Sequence, residues 1–134
     1  MDAVVQADPT QSRTVLLVDD ETMVLEVGKA ILQRLGHTVV TADSGEAALD
    51  KFAQQRAVIG CVVLDLTMPG MGGLETFRQL RELAPELPII IASGMSADQI
   101  GSQFDGKPRT AVIQKPYQVA DLSATIQALF SNVA

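Results

Sequence analysis

Thr14-Val15-Leu16-Leu17-Val18-Asp19-Asp20-Glu21 decides the fold. An unbroken apolar run ends abruptly in acids. A short continuous run of this kind suits a strand buried on both faces. Working outward, the pattern alternates. Val24, Val27, Ile31 and Leu35 follow at helical spacing, with Gly36 as the stop. Thr38 to Ala42 is short and β-branched, and reads as a second strand. Ser44 is placed to cap a helix carrying Ala48, Leu49 and Phe52. Cys61-Val62-Val63-Leu64 is a third strand, and Thr67 to Gly73 is a loop by its Pro and Gly content. Leu74, Phe77, Leu80 and Leu83 mark a helix ended by Pro85. Ile89 to Ala92 is a fourth strand. Ser96 and Gln99 have capping-box spacing, and Ile100 and Phe104 lie four apart, with Gly101 weakening the helix between them. Ala111-Val112-Ile113 is a fifth strand, and Val119, Leu122, Ile126 and Leu129 make a final helix. Strict alternation predicts an α/β fold: a parallel sheet with helices on both faces and right-handed crossovers. The order of strands in the sheet is not contained in the alternation.

The 134 residues include 10 Lys and Arg against 16 Asp and Glu, a net charge of −6, and the pI is near 4.6. Such a surface argues against direct nucleic-acid binding, because phosphate backbones attract Lys and Arg. Apolar residues make up 47 %, enough for one packed domain. Residues 14–132 are expected to form it, and residues 1–13, polar and aperiodic, to be a flexible tail or linker. No apolar run approaches the roughly 20 residues of a membrane span. Met1 to Arg13 lacks a basic start followed by an apolar stretch, so no signal peptide is expected. One cysteine and one histidine exclude an internal disulfide and a Cys/His zinc site. The expected setting is the cytoplasm.

Ligands of open parallel sheets bind beyond the C-terminal strand ends. The residues there are Asp19, Asp20 and Glu21 after the first strand, Asp43 after the second, Asp65 after the third, Ser93 and Gly94 after the fourth, and Lys115 and Pro116 after the fifth. Asp19, Asp20 and Asp65 share a small space if the first and third strands are neighbours. Carboxylates that close repel, and a hard divalent cation such as Mg²⁺ relieves the repulsion. Lys115 is a compact charge suited to a phosphate oxygen, and Ser93 is a hydroxyl donor. Asp65 is then the group that receives a phosphoryl, forming an acyl phosphate. Each of these residues also has an ordinary structural use, as a cap, a turn or a surface lysine. Their combination in this order is what points to chemistry.

The segments Val15 to Glu21, Val63 to Gly73, Ile91 to Gly94 and Gln114 to Tyr117 resemble the receiver domain of two-component response regulators. The resemblance runs from about Thr14 to Asn132. It implies a flavodoxin-like five-stranded sheet of order 2-1-3-4-5, and phosphoryl transfer to Asp65 from the phosphohistidine of a histidine kinase or a histidine phosphotransfer domain. It implies Mg²⁺ held by Asp20, Asp65 and the backbone carbonyl of Thr67, with Asp19 helping through water. Ser93 and Lys115 would contact the phosphoryl oxygens, and the Lys115–Pro116 peptide would be cis. Many members carry an aromatic switch residue where this chain has Val112. The pattern Ser93-Gly94-Met95 with Ile113 to Tyr117 is most like receivers at the C-terminus of hybrid sensor kinases; a stand-alone receiver is the alternative. No Lys or Arg follows Lys115, which disfavours a dimer through charged pairs on the last helices, so a monomer or weak dimer is expected.

The same residues suit other readings less well. A Mg²⁺-dependent phosphatase of the haloacid dehalogenase type also uses an aspartate nucleophile. It resembles a pattern with a second Asp two residues on, where Thr67 stands here, and its further acids come late in the chain. An unphosphorylated interaction domain of the same fold is weakened by the presence of Asp20, Asp65, Ser93 and Lys115 together. A flavodoxin-type nucleotide module lacks its Gly-rich turn after the first strand. The expected domain is therefore no enzyme in isolation, beyond its own phosphorylation and dephosphorylation. His37 reads as an exposed turn residue, Cys61 as a core residue, Met68 and Met71 as packing, and Lys107 as a loop lysine.

Overall fold

The structure is a computed structural model, and it describes residues 13–94, 104 and 107–131. Nine elements alternate along them: β1 (Thr14–Val18), α1 (Thr22–Arg34), β2 (Thr38–Ala42), α2 (Gly45–Gln54), β3 (Ile59–Asp65), α3 (Gly72–Leu83), β4 (Ile89–Ser93), β5 (Thr110–Gln114) and α4 (Val119–Ser131). The sheet is parallel throughout, with order β2-β1-β3-β4-β5. This is the flavodoxin-like arrangement that the resemblance implied.

Side chains on a strand alternate between faces, and the core divides accordingly. Leu16, Val18, Val62, Leu64, Ile89 and Ile91 pack with Ala48 and Phe52 of α2 and Phe77 and Leu80 of α3. Val15, Leu17, Cys61, Val63, Ile90 and Ala92 pack on the other face with Leu32 of α1 and Leu122, Ile126 and Leu129 of α4. Both faces of β1, β3 and β4 are buried, which is why these strands read as continuous apolar runs.

The helices differ in detail from their sequence patterns. Val27, Leu74, Leu83 and Val119 are exposed, although each belongs to an apolar series. The rest of each series faces the core: Val24, Ile31 and Leu35 of α1 pack on it beside the fully buried Gly28 and Leu32, and Phe77 and Leu80 of α3 are buried together with Gly73 and Thr76. An apolar series at three- and four-residue steps fits more than one helix face, and only packing selects between them. Ser44 caps α2 as expected, its hydroxyl accepting from the Ala47 N–H at 3.0 Å. The Ser96–Gln99 capping box lies outside the described residues. Phe104 is described: it is buried, and its ring meets Phe77 edge-on at 5.2 Å. Lys107 is exposed.

His37 is a correction. It is half-buried, and its Nδ1 accepts the Arg13 backbone N–H at 3.1 Å. Burial, and then the Arg13 charge, hold its pKa below the usual imidazole value. Arg13 also lays its guanidinium 4.2 Å from the centre of the Phe130 ring. Its carbonyl accepts from the Thr38 N–H at 3.0 Å. The turn histidine is thus a fastening at the start of β1 and β2.

Candidate functional site

The strand order reverses between β1 and β3, so a crevice opens at their C-terminal ends. Val18 pairs with Leu64 there, which brings the next residues, Asp19 and Asp65, side by side. Both are buried, whereas Asp20 is exposed. Carboxylate oxygens of Asp19, Asp20 and Asp65 lie within 4.8 Å of one another. Asp65 pairs with Ala92 on β4. Ser93 follows, buried at the end of that strand, and its carbonyl accepts the Lys115 N–H at 2.7 Å. The main chain therefore fixes where Lys115 leaves β5. The Lys115–Pro116 peptide is cis.

Lys115 turns its side chain into the crevice. Its Nζ lies 2.9 Å from Asp19 Oδ2 and 3.4 Å from Asp65 Oδ1. Asp19 Oδ1 accepts the Glu21 N–H at 2.9 Å, and Asp65 Oδ1 accepts the Thr67 N–H at 3.2 Å. The Asp65 pKa is pushed up to about 6, by burial first and the charge of Asp19 next, against the opposing pull of Lys115 and the Thr67 N–H. Burial opposes the charge on Lys115, but its bond to Asp19 and the two carboxylate charges outweigh that and raise its pKa. One ammonium thus answers two buried carboxylates and a third at the rim. The shortfall is negative, the donors are hard oxygens, and the rim is open at Asp20. That set fits Mg²⁺.

A family model described as the response regulator receiver domain matches residues 15–127. The chain belongs to the response regulator receiver family. Receivers of this family are phosphoacceptor signalling domains. Among curated relatives, the chain is 33 % identical to sensor kinase CckA of Brucella abortus over 125 residues, which is 93 % of this chain and 13 % of the kinase. It is 35 % identical to response regulator MprA of Mycolicibacterium vanbaalenii over 117 residues, 86 % of this chain and 49 % of that protein. The receiver thus spans about half of one such relative and a small part of the other. Among solved structures, the response regulator TrrA of Thermotoga maritima, a complex with Mg²⁺ and BeF, superposes with a TM-score of 0.76. It is 30 % identical, over 87 % of this chain and 98 % of that one.

Several features of this receiver escape the sequence pattern. Tyr117 is buried against α1, where a side chain at Gly28 would come within 3.1 Å of its ring. Beside it, a cleft of about 380 Å³ is lined by Met23, Val24, Val27, Lys115, Pro116 and Tyr117. The cleft shares Lys115 with the acid cluster, and Met23 and Val27 stand exposed at its edge. Val112, at the position that is often aromatic, is half-buried and packs with the α2–α3 side of the core. A glycine inside a helix pattern was the available signal for the close approach at Gly28.

Proposed function

We propose that Asp65 is the phosphoacceptor, and that Mg²⁺ is held by Asp20, Asp65 and the backbone carbonyl of Thr67, with Asp19 acting through water. The observation that carries this reading is the cluster of three carboxylates within 4.8 Å around the single ammonium of Lys115. The Mg²⁺ complex of the related TrrA supports the choice of cation. When bound, the cation neutralises the carboxylates and the phosphoryl oxygens.

The chain's own residues do the rest. An Asp65 carboxylate oxygen forms a bond to phosphorus as the phosphorus–nitrogen bond of a phosphohistidine breaks. The imidazole leaves with the electron pair and takes its proton from solvent. Lys115, already fixed by Asp19, donates to the arriving phosphoryl oxygens, and the Ser93 hydroxyl is a second donor. Lys115 is in place before the reaction, so little reorganisation of this chain is needed. Water later attacks phosphorus, the bond from phosphorus to the Asp65 oxygen breaks, and inorganic phosphate leaves as the carboxylate returns.

The donor is a histidine kinase or a histidine phosphotransfer domain. Exposed apolar residues beside an acceptor site suit a protein partner, and Met23, Val27 and the cleft next to Lys115 form such a surface. Similarity to a region of CckA supports a hybrid kinase origin, with residues 14–132 as the receiver and 1–13 as tail or linker. No described helix is long and apolar enough to cross a membrane. On this reading the domain works in the cytoplasm, as a monomer or weak dimer, without contacting nucleic acid. It turns over nothing but its own phosphoryl group.

The test uses phosphoramidate, a donor with the same phosphorus–nitrogen bond, followed by ³¹P NMR. An acyl phosphate signal is expected with Mg²⁺, and none with chelator or in Asp65→Asn. A signal in Asp65→Asn overturns the assignment.

A further inference from the structure

Helix α3 begins without the usual cap. Its N-cap residue Met71 has helical dihedrals and makes no side-chain capping bond. Early backbone N–H groups of a helix need acceptors from outside it. For Gly73 that acceptor is the Leu66 carbonyl, at 3.1 Å. Leu66 is the residue directly after Asp65. The helix is therefore capped by the main chain that carries the acceptor.

The contact is as close as a backbone allows. A methyl group at Gly73 would fall 2.3 Å from the Asp65 carbonyl oxygen, and 2.5 Å from both Leu66 Cα and Leu66 O. All three atoms are main chain, so none can swing aside. The turn is held from behind as well. Thr76 is buried, and its hydroxyl donates to the Gly72 carbonyl at 2.7 Å. Thr76 in turn packs so tightly on α2 that a side chain at Gly45 would come within 2.2 Å of its Oγ1. An unbroken line of contacts thus runs from α2 through Thr76 and the first turn of α3 to the Asp65–Leu66 main chain.

We propose that Gly73 is a positioning residue for phosphoryl transfer: its lack of a side chain lets α3 press on the Asp65–Leu66 main chain and hold the acceptor and its cation-binding loop in register. The inference rests on Asp65 being the acceptor. It assigns Gly73 no contact with substrate.

The neighbouring glycine supplies the control. Gly72 has φ +78°, a conformation that L side chains rarely adopt, but a methyl group there meets nothing within 4 Å. Gly72→Ala strains the turn without touching the acceptor, whereas Gly73→Ala pushes on it directly.

In the full chain, each variant is compared with wild type by thermal melting, by Mg²⁺ titration of amide NMR shifts, and by the rate of phosphoryl uptake from acetyl phosphate. Gly73→Ala is expected to lower uptake tenfold or more and to weaken Mg²⁺ binding several-fold, since small displacements of reacting groups cost large factors in rate. Gly72→Ala is expected to melt earlier and keep both. Wild-type uptake and Mg²⁺ affinity in folded Gly73→Ala would overturn the proposal, as would equal losses in Gly72→Ala. If Gly73→Ala does not fold, Thr76→Val decides. Loss of the hydroxyl is expected to weaken Mg²⁺ binding at least twofold, with Thr76→Ser restoring it; wild-type affinity in Thr76→Val overturns the proposal. Failure of wild type to take up phosphoryl would count against the Asp65 reading, and the Mg²⁺ arm would still decide the role of Gly73.

Discussion

At the N-terminal end of β4 and β5, one cation is set among neutral oxygen acceptors. Arg81 donates to the carbonyls of Leu87 at 2.7 Å, Pro85 at 3.1 Å and Ala84 at 3.3 Å, and to Thr110 Oγ1 at 2.9 Å. It closes the last turn of α3, where a positive charge suits the helix dipole. At the C-terminal end of the sheet the balance reverses. Lys115 alone faces buried Asp19 and Asp65, with Asp20 at the rim. The first arrangement satisfies both terminal nitrogens of the guanidinium, though not its buried Nε, and ties α3 to the start of β4 and β5. The second is short of positive charge, costs stability, and is ready for a cation and a phosphoryl group. Within one sheet, polar residues mark a functional site where their charges are left uncompensated.

The largest effect that separates the two ends comes from Asp20→Asn. Asp20 is exposed, so melting should not change, while Mg²⁺ affinity in a calorimetric titration should fall at least tenfold, about 1.4 kcal/mol. Unchanged affinity would remove Asp20 from the cation site. Arg81→Ala attacks the other end. It should cost roughly 1–3 kcal/mol in denaturant unfolding, the usual range for stranding buried polar groups. Phosphoryl uptake by the folded variant should match wild type. A folded Arg81→Ala that loses uptake would show that the two ends are coupled and would break the comparison.

The pH dependence of stability should differ in sign between the ends. Asp65 has its pKa raised to about 6 in the fold. A raised carboxylate pKa favours the fold at low pH, and that advantage is lost as pH rises from about 4 to 6. Asp65→Asn should therefore be more stable than wild type at pH 7 without Mg²⁺, by on the order of 1–2 kcal/mol, and the gain should shrink as pH falls from about 6 to 4. His37 behaves oppositely. Its lowered pKa means that the neutral ring fits the fold, so stability falls as pH drops below the unfolded value near 6.5. Wild type should lose stability relative to His37→Gln, whose side-chain oxygen can also accept the Arg13 N–H, by about 1 kcal/mol or less between pH 7 and 5. Parallel pH curves for wild type and His37→Gln would remove His37 from the fastening.

Much of this was legible in the residues. The strands β1 and β2 have the bounds that their short β-branched and apolar runs suggest, although only β1 is buried on both faces and β2 lies half-buried at the sheet edge. Asp19, Asp20, Asp65 and Lys115 converge because each lies at or just past the C-terminal end of a strand in a parallel sheet, where chain position nearly fixes spatial position. What escaped is set by contact between elements. Val27, Leu74 and Leu83 look like core residues in an apolar series and are exposed. Gly28 and Thr76 stand outside the apolar series of their helix patterns, and Gly73 sits in the segment that reads as a loop, yet these are where other elements press closest. His37 reads as an exposed turn residue and Arg81 carries no signal in the sequence, yet both fasten the end of the sheet away from the site. A residue's chemistry shows in its type, but the space available to it depends on distant parts of the chain.

The central claim is that the uncompensated carboxylate at position 65 accepts a phosphoryl group. Intact-mass spectrometry after incubation with Mg²⁺ and acetyl phosphate tests it most directly, on wild type and Asp65→Asn side by side. One added phosphoryl group on wild type and none on Asp65→Asn is the predicted result. An equal adduct on both proteins, or no adduct on wild type together with no consumption of acetyl phosphate, would contradict it.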